Sequence, residues 1–164
     1  MRILGPIIVS VCLIEMCAPA ASDPLGESGE AKLAAYQVCH PLAAVDMGPA
    51  GSGSATECNG IVRNLDSQKS PDNLAIHCLE STLARPEGYK YSGTCVQTDH
   101  DGDKLFMTYE GANDGQQMKW VGGTGKFADI SGAGGLSVVA APAMTSGLFA
   151  YTLNFDVTWT RKPK

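Results

Sequence analysis

The amino-acid sequence predicts an all-β domain, a small antiparallel sandwich or barrel stabilised by disulfides. Three observations predict it. From Glu57 onward, short apolar runs alternate with clusters of Gly, Asp, Asn and Pro, and no long segment has helical periodicity. The last run, FAYTLNFDVTWT, alternates without an error over twelve residues. Six cysteines, less Cys12 and Cys17 of an N-terminal leader, leave four, an even number suited to two bridges.

The elements follow in chain order. MRILGPIIVSVCLIEMCAPA has one early Arg2, an apolar run from Ile3 to Leu13, and Ala18-Pro19-Ala20 at its end. That order predicts a secretory signal peptide over residues 1–20, cut after Ala20, and a periplasmic or secreted product. Ile14, Glu15 and Met16 argue against lipidation of Cys17. No later run is long and apolar enough to span a bilayer, so no membrane is expected once the leader is gone.

Residues 21–56 read as a flexible or irregular N-terminal segment. Within it, Ala31 to Val38 suits a first strand or a short helix, and His40 to Thr56, rich in Pro, Gly, Ala and Ser, suits a loop. Residues 57–164 carry the β domain, with the first strand allowed within 31–40. Candidate strands are Glu57–Leu65, Leu74–Leu83, Tyr89–Thr98, Lys104–Glu110 and Gln116–Val121. In the last strand, Phe149, Tyr151, Leu153, Phe155, Val157 and Trp159 share one face.

Net charge is −5 and the pI near 5.1, a balance that disfavours nucleic acid and anionic membrane surfaces. The four remaining cysteines are Cys39, Cys58, Cys78 and Cys95. Three connectivities are open. Cys39–Cys58 with Cys78–Cys95 is the expected one, because neighbouring strands are the nearest partners in an antiparallel fold. A metal is not expected. Cys39-His40 and His77-Cys78 are adjacent pairs, and adjacent residues of a strand point to opposite faces. TDHDGDKLFMTYE places Asp99, Asp101 and Asp103 at alternate positions, but Lys104 stands where a calcium loop needs Gly. A hairpin turn is expected there.

VGGTGKFADISGAGG, residues 121–135, holds six glycines and GGTGK. It is not a phosphate loop. Trp120 replaces the first Gly, Phe127 replaces the magnesium-binding Ser or Thr, and no helix follows. In a small barrel such glycines permit sharp bends and close backbone approach, with Phe127 and Ile130 plugging one end.

VGGTGKFADISGAG resembles the GGTGKF-x-x-A-R-G signature of plant dirigent proteins and the GGSG-x-F-x-G segment of allene oxide cyclases. Many bacterial exported proteins look like members of the same group. The resemblance covers residues 121–134 well and extends in strand order from Cys58 to Trp159. It implies an eight-stranded, antiparallel, calycin-like barrel, an apolar cavity with a few placed polar groups, and a dimer or trimer. Dirigent proteins steer the coupling of phenoxy radicals; allene oxide cyclases steer the ring closure of an epoxide. Ser131 stands where the dirigent signature has a basic residue, and none of the family's catalytic acids is carried over.

The candidate pocket residues are Met107, Tyr109, Trp120 and Tyr151, apolar or aromatic side chains on strand faces. His77, between apolar neighbours in AIHCL, is the candidate general base if it faces inward. Glu80, Glu110 and Asp156 are acids on strands, expected to face solvent. No nucleophile elbow or redox-cofactor fingerprint occurs, so no cofactor is expected. The expectation is a barrel that binds an apolar or aromatic small molecule and guides a redox-neutral isomerisation, cyclisation or elimination. The alternatives are a non-catalytic carrier and a filled structural barrel.

Overall fold

The structure is a computed structural model that describes residues 25–66, 69–113, 115–141 and 147–162. The proposed leader lies outside the described residues. Among the described residues eight strands occur in order: β1 (Ser28–Asp46), β2 (Ser52–Asn64), β3 (Leu74–Arg85), β4 (Gly88–Thr98), β5 (Lys104–Ala112), β6 (Gly115–Gly123), β7 (Ile130–Ala140) and β8 (Phe149–Arg161). Each pairs antiparallel with its sequence neighbour, and β1 pairs with β8, so the sheet closes into a barrel. Closure gives every strand a partner on both sides, and the shortest ladder, β6 with β7, pairs Gln117–Trp120 with Gly132–Gly135.

The buried faces of the strands follow period two, except that Ala34 of β1 is buried along with Leu33 and Ala35. On β8, Leu153, Phe155, Val157 and Trp159 point inward and are buried, with Phe149 and Tyr151 packed on the same core. Leu33, Val62, Leu74, Leu105 and Met118 meet them from the other strands.

Two stretches differ from the sequence expectation. The segment 21–56 is not irregular over its described part: β1 runs on to Asp46, and β2 begins at Ser52. From Pro41 to Asp46 every residue is exposed, so the ladder with β2, and not a core, holds this hairpin. No hydrophobic pattern marks it for that reason. The second is β7, ISGAGGLSVVA, where the glycines are part of a strand. Gly132 lies in register between Trp120 of β6 and Trp159 of β8, and the two rings meet 5.7 Å apart above it. A Cβ there would come within 3.2 Å of the Trp120 ring.

The cysteines form one interior row. Cys39 faces Cys58, Cys58 faces Cys78, and Cys78 faces Cys95 across four successive strands. The bridges are Cys39–Cys58 and Cys78–Cys95, each with Cα atoms 4.1 Å apart. Antiparallel pairing explains the choice. A residue in a close, non-hydrogen-bonded pair with one neighbour forms the wider, hydrogen-bonded pair with the other. Cys58 and Cys78 are thus the wider pair, and Cys39 and Cys95 stand three strands apart, roughly 14 Å. Cys39→Ala combined with Cys58→Ala should lower stability by about 3 kcal/mol, since it frees a loop of near 20 residues in the unfolded chain. Urea unfolding of the oxidised proteins checks it.

The GGTGK and DHDGD motifs explain each other. The turn Gly125–Phe127 folds under the barrel end that carries the β4–β5 hairpin, and Phe127, 0% exposed, plugs it with Leu25 and Ile130. Lys126 Nζ reaches Asp99 Oδ2 at 2.6 Å and Asp101 Oδ2 at 2.8 Å. Asp103 Oδ2 accepts from the Lys126 backbone N–H, and Asp99 Oδ1 accepts from the N–H groups of Asp101 and Asp103. The Asp loop therefore surrounds an ammonium supplied by the chain itself.

Candidate ligand site at the upper end of the barrel

Call the end opposite Phe127 the upper end. The β3–β4 and β5–β6 hairpins lie there. Strand parity decides which side chains enter. Cys78 points inward, so Glu80 and Thr82 on β3 point inward with it, and Leu79 and Ser81 point out. The same counting turns Tyr91 on β4, Tyr109 on β5, Gln116 on β6 and Tyr151 on β8 toward the barrel axis.

These residues form one polar cluster within aromatic walls. The Tyr109 hydroxyl donates to Glu80 Oε2 at 3.0 Å, and the Thr82 hydroxyl donates to Glu80 Oε1 at 3.2 Å. Tyr151 stands 3.1 Å from Cys58 Sγ. A disulfide sulfur has no hydrogen, so Tyr151 is the donor. Gln37 Nε2 donates to Cys78 Sγ at 3.2 Å, across the barrel. Gln37 and Tyr151 thus both rest on the disulfide row. Tyr89 stacks on Tyr91, Tyr91 tilts against Tyr109, and Phe149 stacks on Tyr151, each pair near 6 Å apart.

Two glycines make room for the tyrosines. A Cβ at Gly93 would lie 2.3 Å from the Tyr109 ring, and one at Gly111 would lie 2.5 Å from the Tyr91 ring. Depressions of about 700 and 550 Å³ lie across β3–β6 and are lined mostly by the outward faces of these strands. Tyr91 and Gln116 border the first, and Glu80 and Tyr109 border the second, together with outward residues such as Ser92, Glu110 and Gln117.

The electrostatics keep the tyrosines protonated. Burial, then the nearby Tyr89 and the Glu80 carboxylate, push Tyr91 up to about 12. Burial and then Glu80 push Tyr109 and Tyr151 further still. All three remain hydroxyl groups through the neutral range.

The residues singled out in the sequence separate here. Tyr109 and Tyr151 enter the upper cluster. Met107 lies in the same interstrand row as the cysteines, where its sulfur accepts from Gln97. Trp120 belongs to the closed lower end, packed on Trp159, and not to the upper site. His77 faces outward with its side chain 52% exposed, so it is no base inside the barrel. Its Nε2 lies 2.7 Å from Glu57 Oε1, while His40 lies 3.2 Å from the other oxygen. The apolar neighbours in AIHCL are a poor guide because alternate ones, Ile76 and Cys78, own the inner face.

Glu80 was expected to face solvent together with Glu110 and Asp156. Those two are exposed, and Glu80 is not. The signal that finds Glu80 is its even spacing from Cys78, once a disulfide fixes the inner face. Tyr91, Gln37 and Gln116 were not singled out at all.

No protein-family model and no curated protein matches the chain. Solved structures do. The pterocarpan synthase dirigent protein PsPTS1 superposes with a TM-score of 0.51 at 16% identity, over 85% of this chain and 100% of that one. The barrel is dirigent-like. A second pterocarpan synthase dirigent protein, GePTS1, gives 0.50 at 15% identity, over 85% of this chain and 90% of that one. At this identity the likeness is one of fold, and the chemistry of the dirigent-like barrel rests on its own residues.

Proposed function

We propose that the barrel binds a small molecule with an apolar or aromatic body at its upper end. There it guides a redox-neutral reaction, an isomerisation, cyclisation or elimination, with Glu80 as the proton-transfer group. The observation that carries this reading is the Glu80 carboxylate, held by Tyr109 and Thr82 between tyrosine rings. Rigid aromatic walls orient a flat or apolar substrate, and a fixed carboxylate needs no reorganisation to take a proton. Two similar structures are pterocarpan synthases by name, which supports a small-molecule role for the fold and names no substrate here. No cofactor enters the scheme.

The disulfides suit an oxidising compartment, so the working place is the periplasm or the exterior. Tyr36, Val38 and Ile61 expose apolar side chains on the outer faces of β1 and β2, which supports a homo-oligomer.

Native mass spectrometry after incubation with a small-molecule extract tests the reading and reports oligomeric state as well. A retained compound is expected. It should be converted by the wild type and, at saturating concentration, turned over about 10²-fold or more slowly by Glu80→Gln, the loss typical of a proton-transfer group. A protein that retains nothing from such an extract is not a small-molecule barrel. One that converts its ligand equally well as Glu80→Gln does not use this carboxylate.

A further inference from the structure

The upper site holds acceptors in excess of donors. The hydroxyl protons of Tyr109 and Thr82 go to Glu80, and that of Tyr151 goes to Cys58 Sγ. Sulfur also orients Gln37. Only the N–H end of its amide can face the Cys78 sulfur, so Oε1 is left over. Gln37 is 2% exposed, and that oxygen has no donor among the described residues. Gln116 Oε1, nearer the rim, is buried and unpaired in the same way.

Glu80 completes the imbalance. Among the described residues, Glu57, Asp66, Asp72, Glu87, Asp99 and Asp101 each lie against a basic side chain, and no ion pair includes Glu80. A carboxylate without a counter-ion and a buried carbonyl without a donor are both costly to leave so. Around them stand the faces of Tyr91, Tyr109, Tyr151 and Phe149, whose π clouds attract positive charge.

We propose that the small molecule taken at the upper end is an organic amine in its protonated form. Its N–H groups donate to Glu80 and to the Gln37 amide oxygen in the layer below. Its apolar or aromatic body lies against Tyr91, Tyr151 and Phe149. The Tyr91 hydroxyl, buried and without a partner among the described residues, serves a further polar atom of the ligand as donor or acceptor. The proposal rests on the small-molecule reading above and adds charge to it. An ammonium brings up to three donors and a positive charge to a site that lacks both, whereas an alcohol brings one donor and no charge.

Two probes of one shape separate the ideas. The full, oxidised chain is titrated at neutral pH with 2-phenylethylamine and, separately, with 2-phenylethanol, and amide resonances are followed by NMR. The amine should bind about tenfold tighter or more, as expected for a cation gaining a carboxylate and aromatic faces. Glu80→Gln should bring the two probes level. Equal binding by the wild type, or tighter binding of the alcohol, overturns the amine assignment and leaves the small-molecule site standing. If neither probe shifts resonances around Glu80, Tyr91 and Tyr151, both readings fall. The comparison between probes is made on the wild type, so it holds even if the variant folds poorly.

Discussion

Gly134→Ala should cost about 3 kcal/mol or more, while Gly135→Ala, one residue on, should make the protein slightly more stable. The two glycines are neighbours on β7 and face opposite ways. At Gly134 a Cβ would sit 1.8 Å from the carbonyl oxygen of Asp156 on β8 and 2.8 Å from its carbon. Backbone cannot yield as a side-chain tip can. The β7–β8 ladder would have to part just where Gly134 pairs with Val157 and Met118. At Gly135 a Cβ meets nothing within 4 Å. Alanine there restricts the unfolded chain and should stabilise by a few tenths of a kcal/mol, up to about 1. Urea midpoints of the two oxidised variants, read by tryptophan fluorescence, make the comparison. Equal midpoints would mean that β7 and β8 do not approach this closely.

Lys126→Met should destabilise by about 3 kcal/mol at neutral pH, and the loss should shrink in acid. The substitution keeps the length of the side chain and deletes the ammonium. Asp99, with its side chain 3% exposed, is then left charged and uncompensated. In the wild type, burial pushes the Asp99 carboxyl up, but the Lys126 ammonium and the Asp103 and Asp101 N–H groups outweigh it and hold it below the ordinary value. Hydrogen bonds to Asp101 and Asp99 raise Lys126 in turn.

The sign follows from linkage. A carboxyl lowered in the folded state contributes stability above its unfolded value, about 3.9, and loses it as the pH falls through the folded value. The raised Lys126 contributes below its unfolded value, about 10.4, and loses it as the pH rises through its folded value. The pair is therefore fully in force between about pH 4 and pH 10. In the variant Asp99 can escape its penalty by taking a proton, so the gap between variant and wild type should close below about pH 4. Denaturation series at neutral pH and at about pH 3.5 test this. A gap that stays constant with pH would assign the loss to the ammonium's contact with the Phe127 ring, whose centroid lies 6.0 Å from Nζ, and not to the Asp99 charge.

Much of the fold was legible because its signals are local. Period two in FAYTLNFDVTWT marks a strand whatever surrounds it, and its apolar face is the core face. The Asp-Gly and Pro-Glu-Gly clusters mark hairpins, and those hairpins end β3, β4 and β5. The disulfide pairing followed from strand adjacency. What stayed hidden depends on distant partners. Pro41–Asp46 is a strand because β2 pairs with it, not because of its own composition. ISGAGGLSVVA looks like a breaker and is a strand because Trp120 and Trp159 need the space above Gly132.

The candidate site divides the same way. Tyr109 and Tyr151 could be named from residue type and strand face alone. Glu80 could not be placed, since LESTLAR has no clean alternation and the inner face of β3 is set by Cys78 bonding Cys95. His77 was misjudged because apolar neighbours at odd spacing say nothing about its own face.

By itself, then, the sequence determined an all-β chain, its turns, its pairs of cysteines and a glycine-rich stretch that binds no phosphate, all of which are short-range chemistry. Tertiary structure alone decided that the strands close with β1 beside β8, that Lys126 sits among three aspartates far back in the chain, and that Glu80 meets Tyr109 at the upper end. The physical reason is parity. A side chain of a strand has two faces to choose from, and only closure of the barrel turns one of them into an interior.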